Sequence, residues 1–327
     1  MKVTMFSVRK DEIDFIEKYK KEFPYEVSIV KESLTLKSVD KAKGSTGVII
    51  IADSQIDREV LTQLKNYGVK FISSRSIGYD NIDIESAKEF GMLVSNSNYS
   101  PYSVSEYTIF YSIMLLRKLP TIFRKMEQED FSLRDVIGKE LWTQTIGVIG
   151  TGKIGKAAIN GFLGMGCKVL AYDIYPSEEL KNKVEYVELD ELFERSDIIT
   201  THLPLTKESY HIINSKNISK MKDGVIIINT ARGELVDTQA ILDGLESGKI
   251  GGAAFDVLDN EGEIYRYKNR DSIEYNQYKK LRSYENVILT PHMSFYTEKA
   301  VNDMVYSAMS NMDCYLKGEK APNNLIK

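Results

Sequence analysis

Histidine and cysteine are scarce in this chain, with three of the first and two of the second among 327 residues. Cys167 and Cys314 stand far apart and in no metal-ligand spacing, which argues against a disulfide framework and against a metal site. A surplus of one charge is missing too. The 43 basic and 47 acidic residues leave a net charge of −4, spread along the sequence, so nucleic acid and anionic membrane surfaces are not expected partners. No apolar run approaches the roughly 20 residues of a membrane span. The opening "MKVTMFSV" is strand-like and carries no signal-peptide pattern, so the cytoplasm is the expected compartment. At this length, and without a long disordered stretch, two domains are expected, each able to bury a core.

What is present is alternation. Short runs rich in Val and Ile, "KVTMFSV", "GVIIIAD", "VKFIS" and "MLVSN", alternate with amphipathic stretches in the first hundred residues. A second series follows in "TIGVIG", "KVLAYD", "DIITTH", "GVIIIN", "GGAAFDV" and "NVILTP". Each series predicts βα units built on a parallel sheet. Between them lies the stretch 100–119, where Ser100 and Pro101 resemble an N-cap and first helical position followed by a long apolar helix, a link between domains. A second amphipathic helix is expected from Thr297 to about Leu316, returning the chain to the first domain. The segment 260–285 is crowded with Tyr and charge and is long for a connection, so it is expected to be either functional or an ornament with a short helix of its own.

The stretch "TIGVIGTGKIGKAAINGFLGMGCKVLAYD" sets Gly150, Gly152 and Gly155 in the order G-x-G-x-x-G after a strand and at the opening of a helix. The first glycine permits a tight turn, the second lets backbone approach a pyrophosphate, and the third lets helix pack on strand. The helix N-terminus adds free amide protons for the phosphates. Asp173 ends the next strand, 18 positions after Gly155, near the spacing expected of an acid that binds a ribose 2′-hydroxyl. Such an acid repels a 2′-phosphate, which makes NAD the expected cofactor; the plainer reading of Asp173 is a solvent-facing acid at a strand end.

Ligands of an open parallel sheet collect outside the carboxyl ends of its strands. Those ends deliver His202 and Pro204, then Thr230, Ala231 and Arg232, then Asp256 and Glu261, and finally His292. A cation, a carboxylate and an imidazole beside a nicotinamide suit carbonyl reduction. Arg clamps a carboxylate with two parallel hydrogen bonds, His donates the proton that a new alkoxide needs, and a neighbouring Glu favours the imidazolium. Each residue also has a plainer role. Arg232 could pair with Glu234 or Asp237, Glu261 could be one solvated acid beside Asp259 and Glu263, and His292 could cap a strand end or satisfy a backbone carbonyl. His202 and His211 read as structural or cofactor-contacting groups.

Several stretches carry a resemblance through nearly the whole chain: "SSRSIGYDNID" (73–83), "NYSPYSVSE" (98–106), "GVIGTGKIG" (147–155), "THLPLT" (201–206), "INTARGELVDTQAI" (228–241), "GGAAFDVLDNEGE" (251–263) and "LTPHMSFYT" (289–297). The sequence resembles the D-2-hydroxyacid dehydrogenase family, and within it the D-lactate dehydrogenase branch that includes the type found with vancomycin-resistance systems. The resemblance implies a catalytic set of Arg232, Glu261 and His292. It implies that Ile77 and Gly78 meet the substrate carboxylate through their backbone and that Tyr99 with Phe295 or Tyr296 lines the pocket. Lys153 and Ile154 would meet the pyrophosphate, Asp256 would lie near the nicotinamide, and His202, Leu203, Pro204, Thr230 and Ala231 would line the cofactor cleft. "NSNYSP" lacks the proline that often precedes this tyrosine in relatives, and "DNEGE" replaces a more glutamate-rich turn; both bear on the shape of the pocket.

The expectation is an α/β protein of two doubly wound parallel-sheet domains. A flavodoxin-like substrate domain spans 1–100 plus 298–327, and an inserted Rossmann NAD-binding domain spans 101–297, with the active site in the cleft. The expected reaction is NAD-dependent reduction of a small 2-keto acid to the D-2-hydroxy acid, pyruvate to D-lactate first, with 2-oxoisocaproate, phenylpyruvate or 2-oxoglutarate as alternatives. Phosphoglycerate is less favoured, since no regulatory domain follows residue 327. An NAD-binding corepressor-like module is the rival from another class. A short-chain reductase is a weaker rival, resting on Tyr275 and Lys279 at Y-x-x-x-K, because its glycine fingerprint should open the chain. The resemblance also implies a homodimer through the nucleotide domain, to which the helix at 107–116 could contribute or in which it could be buried core.

Overall fold

A computed structural model describes residues 1–265 and 273–326. The chain divides into two compact units, Met1–Ser100 with Tyr296–Lys327, and Pro101–Phe295. In the first unit, β1 (Lys2–Met5), β2 (Glu26–Ile29), β3 (Gly47–Ile50), β4 (Phe71–Ser74) and β5 (Leu93–Ser95) form a sheet in the order β2-β1-β3-β4-β5. Every pairing in it is parallel. That is the flavodoxin-like order. Helices α1 (Ile13–Tyr19), α2 (Arg58–Asn66) and α3 (Ile84–Glu89) supply the crossovers. Asp57 and Asp83 start the last two by accepting the Val60 and Ser86 amides, each cap contributing about 1 kcal/mol. The run of four strands expected from sequence omits β2, whose residues are half-buried or exposed, so this edge strand shows no continuous apolar signal.

The second unit opens with α4 (Tyr102–Leu116) and α5 (Leu119–Glu127). The helix α4 begins one residue after Pro101, which already has helical dihedrals of −70° and −12°. There follow β6 (Thr145–Ile149), α6 (Lys153–Gly164), β7 (Lys168–Tyr172), β8 (Glu185–Tyr186), α7 (Leu189–Arg195), β9 (Ile198–Thr201), α8 (Ser215–Lys220), β10 (Val225–Asn229), α9 (Thr238–Glu246), β11 (Ile250–Phe255), α10 (Glu261–Tyr265), α11 (Ile273–Ser283) and β12 (Val287–Leu289). The seven strands among the described residues run β12-β11-β10-β9-β6-β7-β8, all parallel. Strand order therefore reverses between β6 and β9, and the crevice at their carboxyl ends is where this topology receives a ligand. The two-residue β8 had no signal in sequence. Of the segment 260–285, α10 and α11 are described and residues 266–272 lie outside the described residues.

Central strands are apolar on both faces because helices cover both. In β10, Ile227 packs with Phe193 and Ile241 on one face, while Ile226 and Ile228 pack with Tyr111, Ile159 and Phe162 on the other. Tyr111, Leu115 and Leu116 of α4 are thus core, and Phe110 is left half exposed. The chain then returns to the first unit through α12 (Glu298–Leu316), capped by Thr297, whose side chain accepts the Ala300 amide. There Val305, Met309 and Met312 cover Val3, Met5 and Ile49, while Val48, Ile50 and Val94 pack with Leu61 and Leu64 of α2 on the other side of the sheet. Among the described residues no helix is long and apolar enough to cross a membrane.

Candidate active site

The glycine turn after β6 separates its three glycines by what each must do. Gly150 has φ of +97°, and a Cβ there would lie 2.7 Å from the His202 carbonyl oxygen. At Gly155 a Cβ would stand 2.0 Å from the Gly150 oxygen, so α6 packs on the turn only without a side chain. Gly152 is different: a Cβ there meets nothing within 4 Å, and no side chain caps the twelve-residue α6 at this N-terminus. Open space over an N-terminus that no side chain caps fits the diphosphate of a dinucleotide, with Lys153 and Ile154 as the first helical residues. Asp173, just past β7, holds this turn. Its Oδ2 accepts the Thr151 amide at 2.6 Å and the Thr151 hydroxyl at 2.9 Å, and its Oδ1 accepts the Tyr175 amide at 2.9 Å.

Across the switch point, the His202 amide donates to the Ile149 oxygen at 2.7 Å, which places His202, Leu203 and Pro204 beside the glycine turn. Leu203 Cδ2 would be 3.0 Å from a Cβ on Gly150. The third strand end is shaped by Asn229, a buried residue that the sequence did not single out. Its Oδ1 accepts the Thr201 hydroxyl at 2.9 Å and the Ala231 amide at 3.0 Å, while its Nδ2 donates to the Arg232 oxygen at 2.7 Å. One side chain thus fixes the backbone of residues 229–232. Thr230 is buried, with its hydroxyl against that of Thr108 on α4 at 3.1 Å. Arg232 is half-buried and donates from Nη1 to the Ala231 oxygen. Next to it, a Cβ on Gly233 would lie 2.0 Å from the Leu258 carbonyl. Glycine at this position lets the Arg232 turn lie against the loop that carries Glu261.

Asp256 completes the frame from beneath. It is fully buried; its carboxylate accepts the Met293 and Ser294 amides at 2.8 Å each and the Thr290 hydroxyl, and its own carbonyl accepts the His292 amide at 2.7 Å. Asp256 therefore anchors the loop that presents His292. That loop holds His292 at φ of +51°, a left-handed conformation that costs a non-glycine residue about 1 to 2 kcal/mol and persists where surrounding bonds fix it.

His292 Nδ1 and Glu261 Oε1 are 2.6 Å apart. An ionised carboxylate only accepts, so Nδ1 carries a proton and Nε2 is left as the reactive nitrogen. Burial works against the imidazolium and is the largest single influence; the hydrogen bond and charge of Glu261 with the charge of Asp256 outweigh burial and the opposing Arg232, so the pKa is raised above 6.5. His202 has the opposite balance, with burial pushing it down to about 4 and a threonine hydroxyl at 3.2 Å as its neighbour. His211 stacks on Tyr210 at 4.0 Å and lies 3.4 Å from Asp259. Of the three, only His292 has a carboxylate oxygen as close as 2.6 Å.

The second unit thus brings together the glycine turn, Asp173, residues 202–204, the 230–232 turn, Asp256, Glu261 and His292. Phe295 stands edge-on to the His292 ring at 6.4 Å. Ile77, Gly78, Tyr99 and Tyr296 belong to the first unit. Tyr296 is exposed there, beneath the Arg9 guanidinium at 5.5 Å. Tyr275 and Lys279 fall on α11, with the ammonium over the Tyr275 ring face at 4.6 Å.

Residues 109–294 match the family model described as D-isomer specific 2-hydroxyacid dehydrogenase, NAD binding domain. The chain belongs to this family. Among its relatives are an aromatic 2-oxoacid reductase of Clostridium sporogenes, 42% identical over 322 residues and covering 97% of each chain, and a D-lactate dehydrogenase of Lactiplantibacillus plantarum, 42% identical with 98% of each chain covered. Among solved structures, D-2-hydroxyisocaproate dehydrogenase superposes with a TM-score of 0.90 at 35% identity over 100% of both chains. The protein is an NAD-dependent D-2-hydroxyacid dehydrogenase of the D-lactate dehydrogenase branch, an oxidoreductase acting on a CH–OH group.

Proposed function

We propose that this dehydrogenase reduces pyruvate to D-lactate, using Arg232, Glu261 and His292 as its catalytic residues. Bound NADH supplies the hydride that reaches C2 of the keto acid. Arg232 holds the substrate carboxylate and polarises the carbonyl. His292 Nε2 gives its proton to the carbonyl oxygen, and Glu261 stabilises the imidazolium before that transfer and orients the ring throughout. The products are the 2-hydroxy acid and NAD, with one proton consumed; in reverse, neutral His292 takes the hydroxyl proton. The 2.6 Å contact of Nδ1 with Glu261, together with the raised His292 pKa, supports this reading most strongly. Ile77 and Gly78 are proposed to meet the substrate carboxylate through backbone amides, with Tyr99, Phe295 and Tyr296 as contacts to its side chain.

Five of the relatives are D-lactate dehydrogenases, which favours pyruvate. A bulkier aromatic keto acid is the second reading, favoured by relatives named aromatic 2-oxoacid reductases at the same 42% identity. We place the activity in the cytoplasm and in a homodimer. Half-exposed or exposed Phe110, Phe123, Phe131, Leu133, Ile137 and Trp142 on the second unit support the pairing of two copies.

The test is steady-state NADH oxidation with pyruvate, 2-oxoisocaproate, phenylpyruvate and 2-oxoglutarate at matched concentrations, with chiral analysis of each product. Dominant turnover of pyruvate to D-lactate is expected. Preference for phenylpyruvate replaces the first reading with the second, and no turnover of any of the four contradicts both.

A further inference from the structure

In the turn that follows β4 in the first unit, three successive carbonyl groups each accept a hydrogen bond. The Ser76 carbonyl accepts the Ser97 amide at 3.0 Å, the Ile77 carbonyl accepts Asn96 Nδ2 at 2.7 Å, and the Gly78 carbonyl accepts the Ser76 hydroxyl at 2.9 Å. A trans peptide is planar, with its C=O and the following N–H pointing in opposite directions. Holding the Ser76 oxygen therefore aims the Ile77 N–H, and holding the Ile77 oxygen aims the Gly78 N–H. Among the described residues neither of these two amides has a hydrogen-bond partner, and both residues are only half-buried. Two successive amides aimed away from their anchors are suited to receive one carboxylate.

Asn96 is itself fixed at both ends of its backbone. Its amide donates to the Asn323 oxygen at 3.2 Å, and its carbonyl accepts Nδ2 of Asn311, a buried residue of α12, at 2.8 Å. Its side chain is thereby held against the Ile77 oxygen. The amide group can donate there only through Nδ2, because a carbonyl accepts and does not donate.

We propose that Asn96 is a positioning residue for substrate: its side-chain amide, held by Asn311, sets the direction of the Gly78 N–H that binds the keto-acid carboxylate. This rests on the reading that Ile77 and Gly78 meet that carboxylate. Without the Asn96 bond, the 77–78 peptide is free to rotate, and carboxylate binding carries the cost of fixing it. The loss falls on affinity for the keto acid. Proton transfer from His292 and binding of NADH are left as they are.

The experiment compares wild type, Asn96→Ala and the isosteric Asn96→Asp, whose ionised carboxylate cannot donate to the Ile77 oxygen. Measured are KM and kcat for the best keto acid, the Kd of NADH, and the Kd of oxamate, a non-reducible mimic with the same carboxylate, in the presence of NADH. We expect KM and the oxamate Kd to rise about tenfold in Asn96→Ala, the size expected for a hydrogen bond to a charged group, and at least as much in Asn96→Asp. The kcat should stay within about threefold of wild type and the NADH Kd should be unchanged. Equal KM and oxamate Kd in all three proteins, or a fall confined to kcat, overturns the role of Asn96. A wild-type enzyme that turns over keto acids but does not bind oxamate contradicts instead the carboxylate site at Ile77 and Gly78.

Discussion

The strand ends of β9 and β12 lie in one sheet and each delivers a histidine, yet the two imidazoles are opposite in character. His202 follows β9 in ordinary backbone conformation, has a threonine hydroxyl beside it, and is pushed down to about 4 by burial. It is neutral near pH 7. His292 follows β12 in a left-handed conformation, is tied through its backbone to Asp256, and has Glu261 on Nδ1. Its pKa is raised even though burial acts on it too. Burial alone keeps an imidazole neutral, whereas burial with a carboxylate partner favours the imidazolium. The difference between the regions is the partner that the chain brings to each ring.

The largest effect should come from removing the acid. His292→Ala is expected to lower keto-acid turnover by about a hundred- to ten-thousandfold, the range for loss of a general acid, with the NADH Kd unchanged. The parallel change His202→Ala should leave turnover far closer to wild type and act mainly on cofactor affinity. Equal losses of turnover in the two variants, measured by stopped-flow and steady-state rates, would erase the contrast between the two strand ends.

A smaller effect is expected at the cofactor. Asp173→Ala removes a carboxylate that would repel a 2′-phosphate and that also holds the Thr151 amide and hydroxyl. The ratio of kcat/KM with NADH to that with NADPH should narrow by about tenfold, and NADH should bind about tenfold more weakly, the low end of the roughly 1.5 to 3 kcal/mol for a hydrogen bond to a charged group. An unchanged ratio would remove Asp173 from cofactor selection and leave it as the anchor of the glycine turn.

The two sheets were legible in the sequence because their central strands are continuous apolar runs, and the glycine fingerprint was legible because three separate constraints fall at fixed spacing. The strands β2 and β8 were not, since an edge strand and a two-residue strand bury too little to leave a pattern. The strand ends offered Arg232, Glu261 and His292 as candidates among others, and the family resemblance singled them out as a set. Asn229, Gly233 and Asn96 could not be assigned roles that way. Asn229 matters through a carbonyl three residues away and a hydroxyl on β9, Gly233 through the Leu258 backbone, and Asn96 through a peptide group near the end of another strand. Such contacts exist only once the sheets are assembled.

The central claim is that Glu261 makes His292 an acid, and the pH dependence of kcat/KM for keto-acid reduction tests it most directly. Wild type should hold its rate in acid and lose it as pH rises through a His292 pKa above the ordinary 6.5. In Glu261→Gln the charge that raises this pKa is lost and only a neutral amide oxygen remains to accept from Nδ1, burial and Arg232 still lower the pKa, and the falling limb should move toward acid pH. A limb that stays where it is in Glu261→Gln would contradict the account.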